Sequence, residues 1–163
     1  SAFWSNFSNF SPGLEFNFGN INDSKFTQLS SWVTWYPLSN TRLYLTPRIY
    51  FKSGNESFGW NAAGISGGAT LGKIHVYGNY LWGHMENFVE SAGYVIANFP
   101  GRSDRKIMAN VFFPINKRYQ FVLRYMNQNV FEKYQVYTDG YKTNSLEYNY
   151  LTHTLTAGIS WNF

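Results

Sequence analysis

The chain has 163 residues and a mass of 18.9 kDa, which suits a single domain. Aromatic residues make up 21% of it and charged residues only 13%, about half the roughly 25% of ordinary soluble domains, so few charges exist to solvate a surface. No run approaches the roughly 18 consecutive apolar residues of a membrane helix, and 44% hydrophobic content is too high for intrinsic disorder. Cysteine is absent, which removes disulfides and thiolate metal sites, and no cofactor is expected. The formal charge of +4 arises from 13 Lys+Arg against 9 Asp+Glu. These cations are scattered, with only Arg105-Lys106 and Lys117-Arg118 adjacent, so no nucleic-acid partner is expected. Ser1 to Asn6 lack the charged and apolar regions of a secretory signal, so a signal has been removed or the chain begins inside a larger one.

Along the chain the dominant period is two. Strands are predicted near residues 8–19 and 25–36, the second with imperfect alternation. The stretch 42–53 alternates cleanly, with Leu43, Leu45, Pro47, Ile49 and Phe51 on one face and Tyr44, Thr46, Arg48, Tyr50 and Lys52 on the other. Strands follow near 58–71 and 73–86, the latter placing Ile74, Val76, Gly78, Tyr80 and Trp82 opposite His75, Tyr77, Asn79 and Leu81. After 105–113, the strand 118–133 sets Tyr119, Phe121, Leu123 and Tyr125 against Gln120, Val122, Arg124 and Met126. The strand 147–163 ends the chain, with Leu151, His153, Leu155, Ala157, Ile159, Trp161 and Phe163 facing one way and Thr152, Thr154, Thr156, Gly158, Ser160 and Asn162 the other. Tight turns are expected at Pro37–Asn40, Gly72-Lys73 and Pro114–Lys117, and longer links near 20–24, 54–57, 87–104 and 134–146, the last containing Asp139-Gly140. Short and long connections alternate, as in an eight-stranded up-and-down meander with one trimmed rim. A ninth wall strand at 90–99 is rejected because it would move the Pro114 turn to the opposite rim.

A soluble sandwich buries its apolar faces and charges the opposite ones. Here the opposite faces carry Thr, Ser, Gly, Asn, Gln and Tyr, which suits a polar lumen, and the apolar faces suit lipid. The expected fold is therefore an all-β, eight-stranded antiparallel transmembrane β-barrel, with an aromatic girdle of Trp35, Phe113, Tyr119, Trp161 and Phe163 at the short-turn rim. His153, on the lipid face, lies ten residues from the end and so reaches the far interface.

The last strand, Leu151 to Phe163, resembles the terminal strand of bacterial outer-membrane β-barrel proteins, which end in an aromatic residue after alternating apolar positions. Leu155, Ile159, Trp161 and Phe163 would form the assembly signal. The resemblance implies an integral outer-membrane protein with periplasmic termini, surrounded by outer-membrane lipid and inserted by the barrel-assembly machinery. It implies no activity.

Projected inward, the faces yield a polar lumen of Glu15, Arg48, Lys52, His75, Lys106, Gln120, Arg124 and Gln128. Eight strands leave room for little more than side chains, so unlike charges there are expected to pair. Gly64 and Gly68 make room beside bulky Arg and Tyr neighbours. Gly64-Ile65-Ser66-Gly67-Gly68 matches the serine-nucleophile turn in letters, but it lies within a strand with no helix after it. His84 and Glu86 share a face near the long-loop rim, as a solvated pair or an acid–base couple. The leading functional expectation is a non-catalytic scaffold or accessory subunit that contacts another outer-membrane protein through loops 87–104 and 134–146. A narrow channel with a basic lumen and a lipid-active enzyme are the rivals.

Overall fold

The computed structural model describes residues 2–3, 9–21, 24–53, 58–86, 88–90, 95–97, 102–138 and 141–161. Eleven strands are present: β1 (Ala2–Phe3), β2 (Phe10–Ile21), β3 (Ser24–Trp35), β4 (Leu43–Ser53), β5 (Phe58–Leu71), β6 (Ile74–Met85), β7 (Phe88–Glu90), β8 (Val95–Ala97), β9 (Arg102–Pro114), β10 (Tyr119–Thr138) and β11 (Tyr141–Trp161). Nine form one antiparallel meander in the order β1-β2-β3-β4-β5-β6-β9-β10-β11, and β7 pairs only with β8. The segment 90–99 therefore adds no strand to the wall, as the turn parity requires.

Three features differ from the sequence reading. The sheet is open: among the described residues β11 pairs only with β10, and β2 pairs with β3 and, at Gly13 and Leu14, with the two-residue β1, which the sequence did not announce. The link near 20–24 shortens, because β2 runs to Ile21 and β3 starts at Ser24. The expected link at 134–146 is largely strand, since the β10–β11 ladder continues through Tyr134↔Leu146 to Thr138↔Tyr141, with a bulge at Val136/Tyr137. Tyr134, Val136, Tyr137, Thr138 and Tyr141 are strong strand formers, and the polar residues among them disguised the alternation. Asp139-Gly140, the expected turn, lies outside the described residues, as do Asn162, Phe163 and residues 54–57.

The trimmed rim is built from tight turns. Gly72 takes a left-handed φ of 64° between β5 and β6. The Asn116 side-chain carbonyl accepts from the amides of Arg118 at 2.8 Å and Tyr119 at 3.0 Å, closing the β9–β10 turn.

Strand registers put paired residues on a common face. One row, Gly13–Trp32–Arg48–Gly64–Leu81–Lys106–Gln128–Thr152, crosses all eight long strands on the inner, concave side. The next row, Leu14–Ser31–Ile49–Ala63–Trp82–Arg105–Asn129–Leu151, crosses them on the outer side. Between that outer row and the short-turn rim the convex face holds no Asp, Glu, Lys or Arg, and Arg105 and Lys25 mark its upper limit. Its residues stand exposed, including Phe10, Ile49, Ile65, Phe121, Leu155 and Ile159.

The concave face is packed by pairing bulk with glycine. A Cβ on Gly13 would fall 2.3 Å from the Trp32 ring, and one on Gly64 2.3 Å from Leu81 Cδ2. Gly68 admits Tyr44, as the sequence suggested, but the neighbour that Gly64 accommodates is Leu81 and not an arginine. Because the Trp32 ring is stiff and buried, Gly13→Ala is expected to cost about 1–3 kcal/mol by overpacking. Urea unfolding of the refolded protein checks this, and Gly13→Ala/Trp32→Leu should recover most of the loss.

Candidate functional site: a strap across a polar concave face

The β6–β9 connection turns inward. Gln28 of β3 holds both backbone groups of Val89, its side-chain amide donating to the carbonyl at 2.7 Å and its side-chain oxygen accepting from the amide at 3.1 Å. The Glu90 carboxylate accepts from Lys106 Nζ of β9 with both oxygens, at 2.9 and 3.0 Å. Lys52 of β4 donates to the Glu86 carbonyl. Val89 and Glu90 are buried, at 4% and 3% exposure. Val89 and Glu90 thus form a strap across the concavity from β9 to β3, four strands away, which also shows how strongly the sheet curls. Their burial is possible because every polar group named here has a partner.

Beneath the strap Glu15 lies 3.9 Å from Arg48 and accepts from Asn17 Nδ2 at 2.8 Å. The Arg48 guanidinium stacks 4.1 Å from the Trp32 ring centre. Nearer β10, Arg124 Nε donates to Asn110 Oδ1 at 2.9 Å, and Thr152 Oγ1 donates to the carbonyl of buried Gln128 at 3.2 Å. Gln120 sits half-buried at the short-turn end, opposite Ser160 and Pro114. His75 is exposed at that mouth, its Nδ1 3.0 Å from Thr70 Oγ1. Glu15, Arg48, Lys52 and Lys106 are thereby brought together around one strap, whereas His75, Gln120 and Arg124 belong to the lower half.

Two partners escaped the sequence reading. Glu90 sits in a short stretch without extended alternation, and Trp32 in the strand whose alternation was imperfect. The available signal was unlike charge, since Lys106 needed an acid that no neighbouring strand supplies at its level.

Ser66 lies mid-strand in β5, paired with Thr46 and Asn79, and strand β6 follows instead of a helix. His84 Nε2 is 3.3 Å from Glu86 Oε2, both exposed. They border an open cleft of about 500 Å³ at the long-loop rim, with Arg102, Glu132, Lys133 and Glu147 also lining it. Among the described residues no cluster of His, Asp and Glu could hold a metal ion.

Of the expected girdle, the described residues lie on the convex face, with Tyr119 and Trp161 rings 6.4 Å apart and Trp35 and Phe113 exposed, and Phe163 lies outside the described residues. A second aromatic level, Tyr80 stacked on Trp82 at 5.3 Å, lies near the upper limit. At the same height on β10–β11, Tyr125 Oη and His153 Nδ1 are 2.9 Å apart. Comparison with protein-family models, curated proteins and solved structures finds no match for this chain.

Above the charge-free band, β10 and β11 carry a locked carboxylate. Tyr150 Oη donates to Glu132 Oε1 at 2.6 Å and Tyr134 Oη donates to Oε2. These bonds hold Glu132 below the usual carboxylate range, and the charge they meet pushes the Tyr150 hydroxyl up to about 12. Stabilisation from Tyr150 is therefore complete below its ordinary value near 10 and is lost as pH rises through about 12. That from Glu132 is present at neutral pH and lost as acid reaches its lowered value. Ultraviolet titration of Tyr150→Phe should lack one late-ionising tyrosine near pH 12 that the wild type shows.

Glu90→Gln leaves buried Lys106 without its counter-charge, and the expected loss is about 3–5 kcal/mol in urea unfolding. Glu90→Leu/Lys106→Met should recover most of it, which separates the stranded charge from lost packing.

Proposed function

We propose that this chain forms the wall of a bacterial outer-membrane β-barrel whose interior is blocked by its own strap, and that it serves as a non-catalytic scaffold or accessory subunit. The observation that carries the membrane reading is the segregation of charge. Glu15, Arg48, Lys52, Lys106 and Arg124 all stand on the concave face, while the convex band has none. Hydrocarbon imposes that asymmetry, since a charge facing the bilayer midplane costs about 2–4 kcal/mol.

Dimensions support it. From Trp161 to Leu151 is ten residues, roughly 33 Å of strand and about 25 Å of height at a tilt near 40°. The outer row also climbs, from four residues above the start of β2 at Leu14 to ten residues above the end of β11 at Leu151. Such stagger is what closing a sheet requires. An eight-stranded barrel follows by pairing β11 to β2, which run antiparallel; β1 would have to leave that edge.

With Lys106, Arg48 and Lys52 engaged by the strap and by Glu15, the interior is built to be filled, which favours scaffold over channel. The β10–β11 hairpin, at 20 and 21 residues, runs about twice the span of a bilayer. Its projecting part exposes Tyr134, Leu146, Tyr148 and Tyr150, the residue types that interfaces favour. Of the two loops expected to contact a partner, this one supplies the better surface, because Val89 and Glu90 of the other are buried.

In planar bilayers the purified protein should show no steady conductance, and it should bring one stoichiometric partner out of native outer membranes in mild detergent. Tyr148→Ala should release that partner without changing the unfolding free energy by more than about 0.5 kcal/mol. Steady single-channel conductance from the wild type would replace the scaffold reading with the channel.

A further inference from the structure

Below the strap, on the concave face of β4, β5 and β6, lies a small cavity of about 40 Å³ lined by Thr46, Arg48, Ser66, Tyr77 and Asn79 among others. We propose that it is a binding site for a small monovalent anion such as a halide or nitrate.

The chemistry of the lining selects the ligand. Arg48 supplies a permanent cation and Asn79 a hydrogen-bond donor; Ser66 and Tyr77 bond to each other and leave one hydroxyl of the pair to donate, while Thr46 donates to Thr34 Oγ1 at 3.0 Å. No carboxylate lines the cavity. The only acid paired with Arg48 among the described residues is Glu15, whose oxygen is 3.9 Å away, at the limit of an ion pair, while Asn17 occupies its other oxygen at 2.8 Å. The guanidinium also bonds the Tyr50 hydroxyl; it balances no more than a single negative charge, and the volume admits an ion of a few heavy atoms. The Trp32 ring beneath Arg48 fixes the guanidinium plane, so little side-chain freedom is left to lose on binding.

Access is provided from one side. Tyr77 also lines a second cavity, of about 190 Å³, shared with Tyr44, Gly68, Thr70 and His75 at the short-turn mouth. At the other end Tyr50 and Leu81 are buried. The site is thus approached from the short-turn side of the concave face. It lies on the concave face whatever the convex face meets, so its failure would leave the membrane reading standing.

The test is chloride-35 NMR line broadening on the full chain refolded in detergent micelles, at constant ionic strength set with gluconate. Wild type should show saturable broadening that nitrate displaces. Asn79→Leu, which fills the cavity and leaves the Arg48–Glu15 pair intact, should weaken binding roughly tenfold or more, the loss that one charge-assisted hydrogen bond and its space carry. Arg48→Gln should abolish binding. Glu15→Gln should tighten it, because the competing carboxylate charge is gone, a response that a purely structural ion pair would not give. Absence of saturable broadening in folded wild type, or equal broadening in Asn79→Leu, overturns the site.

Discussion

Charge in the sheet is segregated by face: Glu15, Arg48, Lys52, Lys106 and Arg124 stand on the concave side, and the convex band below Arg105 carries none. Because side chains alternate strictly, one register decides which face every residue takes. A slip by one residue in β4 would turn Arg48 and Lys52 outward and bring Ile49 and Phe51 in. The registers found here place Arg48 beside Gly64 and Lys106 beside Gln128, and the same pairings leave Ile49, Ala63 and Trp82 together outside. Charge segregation is therefore a property of the whole ladder and not of single strands.

Concentrating the charges on one side creates the second problem, that of satisfying them. The strap answers it with backbone and carboxylate together: Glu90 engages Lys106, the Glu86 carbonyl engages Lys52, and Gln28 satisfies the Val89 peptide. The glycines complete the packing, since Gly13, Gly64 and Gly68 give up side chains where Trp32, Leu81 and Tyr44 need the space.

Most of the wall was legible from alternation alone. Leu43 to Lys52 and Leu151 to Trp161 read correctly because each position contrasts sharply with the next. The β10–β11 extension was missed because Lys142, Asn144 and Glu147 break the alternation of a ladder that backbone pairing and β-propensity sustain. Glu90 was missed for a different reason. An acid in a connection that turns back onto Lys106 is specified by three-dimensional complementarity, of which the sequence shows only the stranded Lys106. The lumen set from Glu15 to Gln128 was recovered as a face, but which members touch was decided by the strap.

The measurement that reaches the central claim most directly uses the absence of cysteine. Single cysteines placed in turn at Val76 to Leu81 of β6, carrying a nitroxide in the protein reconstituted into lipid bilayers, report oxygen against nickel-chelate accessibility at each position. The account predicts a period of two, with Val76, Gly78 and Tyr80 open to oxygen and closed to the chelate, and Tyr77, Asn79 and Leu81 shielded from lipid. Chelate access along the convex positions, or no alternation at all, would contradict a membrane-facing wall.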